Sequence, residues 1–223
     1  MLKTLSILTL APLALLASVG SVAAQDGLFE DITVGVAVGA GTMGAVIEPQ
    51  VRFNEYFGIR APIGFGQYDF EFSDSELTYD SSLTLGGAGV LADFFPLQGG
   101  LRLSGGVIAT NEEIDVTARA DDIVLDGITY GTVEIDGKVS PDQPIQPVVA
   151  LGYSSNTSII SLDVDVGLRF SGSWTATLDN ASTGVGVDQV SDETLRNEER
   201  AIEDEFNRYQ VTPFIKIGGR LRF

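Results

Sequence analysis

The chain contains no histidine and no cysteine, and acids outnumber basic residues 31 to 13, for a formal charge of −18. Each shortage removes a class of function. Without an imidazole, a serine or aspartate nucleophile lacks its usual proton acceptor, so hydrolases and acyltransferases built on such a pair are excluded. Zinc sites made from His or Cys go with them. Carboxylate pairs could support glycosidase-like chemistry. Here, however, the acids lie between strands or share a strand face with Arg and Lys, the pattern of solvation and ion pairing. The reading is of a non-enzyme with no cofactor and no metal. The lack of Cys rules out a disulfide framework and a lipid-modified cysteine anchor. So acidic a chain has little with which to neutralise phosphates, which excludes nucleic acid as a partner.

Long apolar runs are also scarce, and the clearest one opens the chain. Lys3 precedes a mostly apolar stretch from Leu5 to Ala17, broken by Pro12, and Val22-Ala23-Ala24 offers small residues for cleavage. This is the pattern of a signal peptide over residues 1–24, too short for a membrane-spanning helix. Residues 25–223 then make one domain. Its 26 glycines and few helix-forming runs point to strands and turns.

What is abundant is strict alternation. Leu162, Val164, Val166, Leu168 and Phe170 take one face of a strand, and Asp163, Asp165, Gly167 and Arg169 the other. The last strand sets Ile215, Ile217, Gly219, Leu221 and Phe223 against Lys216, Gly218, Arg220 and Arg222. Similar patterns give eight strands near 31–40, 44–54, 57–70, 80–95, 100–111, 145–154, 159–171 and 209–223. The facing of the fourth and sixth strands stays open. Gly86-Gly87 blurs one pattern, and Val148-Val149 puts an apolar residue on each face of the other. Most of these strands reach the roughly 9–11 residues that suit a tilted bilayer crossing.

The connections alternate as well. Asn54–Tyr56, Pro96–Gly99 and Ser155–Ser158 are short, whereas 71–79, 112–144 and 172–208 are long. Short periplasmic turns and long outer loops are the asymmetry of an outer-membrane barrel. Aromatics collect at strand ends: Phe53, Phe57, Phe94, Phe95, Tyr153 and Phe223 at one level, Phe70, Phe170, Trp174 and Tyr209 at the other. Two girdles at the lipid interfaces account for both sets. The outer loops hold most of the acids, Glu112 and Glu113 among them. In the last, Ser191 predicts an N-cap, with Asp192 and Glu193 in the first helical turn. Leu195, Ile202 and Phe206 form a narrow apolar stripe, read as one face of the helix resting on the barrel mouth. The fold expected is therefore all-β: an eight-stranded antiparallel up-and-down transmembrane β-barrel with one short helix in the last outer loop.

One motif misleads. Gly39-Ala40-Gly41-Thr42-Met43-Gly44 fits a dinucleotide fingerprint, but that site needs a helix to follow. Here Ala45 to Phe53 alternates as a strand, so the segment reads as a hairpin. The informative constellation is the inward face: Glu48, Arg52, Arg60, Arg102, Asp163, Asp165, Arg169, Lys216, Arg220 and Arg222, with Asp93 less well placed. Antiparallel pairing puts Asp163 and Asp165 near the level of Arg220. These charges either neutralise one another as a plug or line a solute path. Eight strands leave an interior just wide enough for side chains to fill, which favours the plug.

The C-terminal half resembles a known family. Asp126-Gly127-Ile128-Thr129-Tyr130, Gly137-Lys138-Val139 and Gln146-Pro147-Val148-Val149-Ala150-Leu151-Gly152-Tyr153 are similar to segments of small barrels of the carbapenem-susceptibility porin (CarO) type. These are small membrane barrels of OmpA-like build. The strand through Val166-Gly167, Ser171-Gly172, an acidic helix and Pro213 complete the pattern over residues 85–223. Where the family tends to have Pro-Tyr, this chain has Pro147-Val148. The resemblance implies a bacterial outer-membrane protein that takes up small, mainly basic, amino acids. It also implies that Phe223 is the signal read by the barrel-assembly machinery. Two functions follow as expectations: a narrow passive channel for small cationic solutes, or a closed structural barrel displaying acidic loops. Outer-membrane lipids and lipopolysaccharide are the expected surroundings of either.

Overall fold

The computed structural model describes residues 32–74, 77–120, 124–125, 128–129, 131–155, 159–180 and 190–223. The expected signal peptide over 1–24, the Asp126–Tyr130 motif taken whole and most of the Ser155–Ser158 turn lie outside the described residues. Among the described residues are fourteen strands and a helix: β1 Thr33–Gly41, β2 Gly44–Arg52, β3 Phe57–Arg60, β4 Ile63–Asp74, β5 Leu77–Phe94, β6 Leu101–Thr110, β7 Glu113–Ala120, β8 Val124–Leu125, β9 Ile128–Thr129, β10 Val133–Pro141, β11 Ile145–Ser154, β12 Ile160–Phe170, β13 Trp174–Asn180, α1 Asp192–Phe206 and β14 Val211–Arg222.

Nine of these make the eight strands of the barrel, with β3 and β4 serving as one strand interrupted at Ala61-Pro62. Each is antiparallel to its neighbours, and closure comes where β14 pairs β1, with Val36 opposite Leu221 and Ala40 opposite Ile217. β14 then pairs β12, β12 pairs β11, β11 pairs β6, and β6 pairs β5. The Gly-rich segment 39–44 is the β1–β2 hairpin, with Gly41 opposite Gly44 and the Met43 side chain buried.

Below the rim the outward positions are apolar. Val38, Ile47, Phe65, Val90, Leu103, Val149, Leu151, Leu162, Val166, Ile215 and Ile217 are all exposed. Below the rim, no charged residue occupies an outward position of the barrel strands among the described residues. A continuous apolar belt of this kind has no stable place in water; it is a surface made for lipid. Phe57, Phe94, Tyr153 and Phe223 ring its periplasmic end, and Phe170 and Tyr209 lie exposed at the other. Three expected girdle members turn away. Phe70, opposite Ser81, takes the inner side of its strand. Phe95 is buried under the Arg52 guanidinium, whose carbon lies 3.9 Å from the ring centre. Trp174 packs on Phe206 of α1, with ring centres 5.7 Å apart.

The segments expected as long loops are largely sheet. On β5, the ladder to β6 ends with Gly87 opposite Thr110, and the ladder to β7 starts with Thr84 opposite Glu113. β7 thus continues β6 past the rim. In the same way β10 runs into β11 and β12 runs into β13. The result is an outer sheet of order β4-β5-β7-β10-β13 rising from one side of the wall. It escaped the sequence reading because its alternation is in the opposite phase to the barrel's.

The helix has the expected N-cap: Ser191 Oγ accepts from the Thr194 backbone N–H, with Asp192 and Glu193 in the first turn. It lies along the edge strand β13 rather than on the barrel mouth. Leu195 and Val190 pack against Val133, with Ile135 and Leu178 beside them. Edge strands expose unpaired N–H groups, and here side chains cover them. Glu199 Oε1 accepts from Leu178 N–H at 2.8 Å, Glu203 Oε1 from Ala176 N–H at 3.1 Å, and Asn207 Oδ1 from Trp174 N–H at 2.7 Å. Four helix residues rise about 6.0 Å and two strand residues about 6.7 Å, so the two repeats stay in step over this length.

Candidate functional site: the barrel lumen and its mouths

Alternation delivers the inward charges into the lumen, where they meet one another directly. At the centre, Arg60 on β3 donates to Glu48 of β2 at 3.1 Å, Asp93 of β5 at 3.0 Å, Asp165 of β12 at 2.6 Å and Ser104 of β6 at 3.0 Å. Arg102 on β6 donates to Asp163 at 2.9 Å and to Asp165 at 2.8 Å. The Lys216 ammonium lies among Glu48, Asp163 and Asp165, at 2.8 Å from Asp163 and 3.1 Å from Asp165. These three carboxylates are close enough together to hold a metal ion, and the ammonium fills that role. All members of the network are buried, and Arg60 is only 1% exposed.

Charges so far from water are tolerable only when paired and fully hydrogen-bonded. The network meets that condition by drawing on five separate strands and β14. It also needs space. Gly152 of β11 faces inward, and a Cβ there would lie 2.2 Å from Asp165 Oδ1 and 2.6 Å from Arg102 Nε. Any side chain at 152 would displace the central ion pairs.

Above this network sits a layer the sequence reading missed. Met43, Val46, Leu91, Ile108, Val148, Ala150 and Phe214 form one buried apolar cluster inside the barrel. The sequence did carry a mark of it. Val46-Ile47, Val90-Leu91, Val107-Ile108, Val148-Val149 and Phe214-Ile215 are apolar doublets within alternating strands. In each doublet one member faces lipid and the other the lumen, which also settles the facing left open for the strands carrying Leu91 and Val148. Leu91 and Asp93 point in, and Val90 and Phe94 point out.

The two ends of the lumen differ. At the outer mouth, Arg169 donates to Glu112 at 2.6 Å, and both are buried. Glu112 is thus a lumen residue and not part of an acidic loop. A cavity of about 180 Å³ opens beside this pair, with Leu83, Leu85, Ile114 and Trp174 on its walls. At the periplasmic mouth, Arg220 sits opposite Ser161, one rung below the Asp163 level, and donates to Ser154 Oγ at 2.8 Å and Ser155 O at 2.7 Å. Arg52 donates to the backbone oxygens of Asn54 at 3.0 Å, Gln98 at 3.1 Å and Gly99 at 3.3 Å, tying two periplasmic turns together. Arg52 and Arg222 are half-buried and line a second cavity of about 180 Å³ with Arg220. Phe223 closes the strand on the outside, 79% exposed, with its N–H donated to Val34 O at 2.9 Å.

No protein-family model matches the chain, and no curated protein matches it. Solved structures do. The crystal structure of Acinetobacter baumannii CarO2 is similar with a TM-score of 0.62 at 21% identity, over 87% of this chain and 100% of that one. Acinetobacter baumannii CarO is similar with a TM-score of 0.60 at 20% identity, over 86% and 98%. A major outer membrane protein from Thermus thermophilus aligns at a TM-score of 0.45 and 12% identity, over 87% and 100%. The first two likenesses are of fold: this is a CarO-like eight-stranded barrel. With its lipid-facing belt, that fold places the protein in the bacterial outer membrane.

Proposed function

We propose that the protein is a closed, non-enzymatic barrel that anchors an acidic outer sheet to the cell surface. One observation carries the reading: two stacked layers, an ion-paired network and an apolar cluster, fill the lumen. An ion crossing here would have to break buried salt bridges and then enter an apolar layer without its hydration shell, each step costing several kcal/mol. The sheet, by contrast, turns Asp69, Glu71, Asp80, Asp115, Glu134, Asp136 and Asp179 to water. Such a surface attracts cationic partners. Lipid and lipopolysaccharide acyl chains would meet the belt, and the terminal strand with Phe223 would be what the assembly machinery grips.

The test is conductance of refolded protein in planar bilayers. Closed barrels give no steady unitary current, and a stable unitary conductance in the unmodified protein would overturn the proposal. The narrow channel for small cationic solutes remains the second reading. It is favoured by the two cavities, which enter the barrel from opposite ends and leave only the two packed layers between them. Under that reading, replacing Asp163 and Asp165 by Asn loosens the network and changes an existing current. Under the closed-barrel reading there is no current for it to change.

A further inference from the structure

The lumen is out of electrical balance with the rest of the chain. Among the described residues, seven cationic side chains point inward (Arg52, Arg60, Arg102, Arg169, Lys216, Arg220 and Arg222) against five carboxylates (Glu48, Asp93, Glu112, Asp163 and Asp165). This excess of cations occurs in a protein of net charge −18. Nor is it spread evenly. Glu112 holds Arg169, and the other four carboxylates surround Arg60, Arg102 and Lys216. The surplus therefore lies at the periplasmic mouth, where three guanidinium groups line one cavity of about 180 Å³.

We propose that this vestibule binds a phosphate group, as a monoester or diester, between Arg52, Arg220 and Arg222. Two carboxylates also line it; Glu55 offsets part of the Arg52 charge, and three guanidinium groups against that one carboxylate still leave the cavity cationic. Asp93 is engaged by Arg60 at 3.0 Å and by Ser104 at 2.6 Å, and Glu55 stands exposed on the turn. Two of the guanidiniums are fixed in advance. Arg52 is held by backbone oxygens and by the Phe95 ring, and Arg220 by Ser154, Ser161 and Ser155. The bonds that hold Arg52 go to neutral oxygens and leave its positive charge in the cavity. Arg222, the last inward residue of β14, stands beside them at the rim.

Like charges gathered in a partly desolvated mouth repel, and an anion among them relieves that repulsion. A planar guanidinium fork matches the paired oxygens of a phosphate, the part Arg222 would play, whereas Arg52, whose N–H groups bond the backbone oxygens of Asn54, Glu55, Gln98 and Gly99, supplies charge. The rim lies at the level of Phe57, Phe94 and Tyr153, the periplasmic headgroup level. A phospholipid headgroup in the inner leaflet and a free periplasmic phosphate ester therefore present the same chemistry to it.

The experiment uses the refolded chain in maltoside micelles, which carry no phosphate. In one arm, inorganic phosphate and glycerol phosphate are titrated by calorimetry. In the other, short-chain phosphatidylglycerol is added and retained lipid is counted by native mass spectrometry. Saturable binding in the first arm alone identifies a soluble ligand, and binding in the second alone a lipid headgroup; either supports the site. R222Q, with folding verified by heat-modifiable gel migration, is expected to weaken binding about tenfold, the loss of one charge-assisted contact. R222K, which keeps the charge, loses less. Because the unmodified protein is tested in both arms, the proposal does not depend on the variants folding. No saturable binding in either arm, or full binding by folded R222Q, overturns it.

Discussion

The barrel wall and the outer sheet are made of the same strands turned inside out. Below the rim, β5 points Val90, Ala92 and Phe94 outward and Leu91 and Asp93 inward. Above it, the same strand points Asp80, Ser82 and Thr84 outward, and Tyr79, Leu83 and Leu85 inward. The neighbouring strands follow, because directly paired residues share a face. Asp115 stands opposite Ser82 and Lys138 on the outer side, and Ile114 opposite Leu83 and Val139 on the inner. The inversion comes where lipid gives way to water. On β5 it falls at Gly86-Gly87, whose φ values of +157° and +145° side chains rarely adopt. A one-residue shift in which positions are apolar therefore marks the membrane boundary.

The largest expected effect comes from breaking the barrel's buried polar interior, which the sheet lacks. Arg60→Met leaves Glu48, Asp93 and Asp165 facing one another without their shared cation. Removing one partner from a buried ionic group costs about 3–5 kcal/mol. We expect the variant to lose heat-modifiable migration, and retention of the folded band at the unmodified protein's melting temperature would show that the network is not what holds the lumen.

Next comes the outer face, where the same substitution should give opposite results in the two regions. Ile217→Lys, in the middle of the lipid belt on β14, is expected to cost about 2–4 kcal/mol. Thr117→Lys, on the same outer side but above the rim, gives up a hydrogen bond to Asp136 and lies among acids. It should fall within about 0.5 kcal/mol of neutral. Urea titration in lipid vesicles compares them directly, and equal costs would dissolve the distinction between lipid and water faces.

This inversion also explains what the sequence made readable. The eight barrel strands were legible because each keeps one phase of alternation across a full crossing, as Leu162 to Phe170 does. The charges of the ion network followed from that phase. β7, β10 and β13 were not legible. They are short and acidic on the outer face, and each is separated from its barrel partner by a break, such as Asn111-Glu112 or Ser171–Ser173, where the phase resets. Acidic composition with interrupted pattern reads as loop, although pairing with neighbours makes it sheet. Glu112 was lost the same way: it sits at the break, and only the folded rim shows that it faces Arg169. The apolar layer was hidden in doublets that single-strand periodicity treats as noise.

A smaller effect separates the two regions by how their edges are closed. The barrel has no edge, whereas the sheet relies on Glu199, Glu203 and Asn207 to cover β13. Replacing Glu199 and Glu203 by Ala is expected to cost about 1 kcal/mol per lost bond at this partly hydrated edge. Amide exchange at Leu178 and Ala176 should speed up while the barrel amides are unchanged. Unaltered protection at both positions would mean that helix packing alone closes the edge.

The smallest effect is one of pH, and it is read at the sheet. Lys138 of β10 is bonded to Glu113 at 3.0 Å and lies 3.7 Å from Asp115. The hydrogen bond and charge of Glu113, then the charge of Asp115, raise its pKa above the ordinary lysine value. A raised folded-state pKa favours the folded form while lysine is charged in both states. That contribution is fully present below the unfolded lysine pKa and fades as pH rises through the folded one. The pair is exposed, so salt should weaken it. Trp174, the single tryptophan, sits on the adjoining strand β13 and reports on this region without a contribution from the barrel. A shift of its emission at alkaline pH, reduced in Lys138→Met and at high salt, is the expected result. An unchanged transition in that variant would assign the alkaline response to another group.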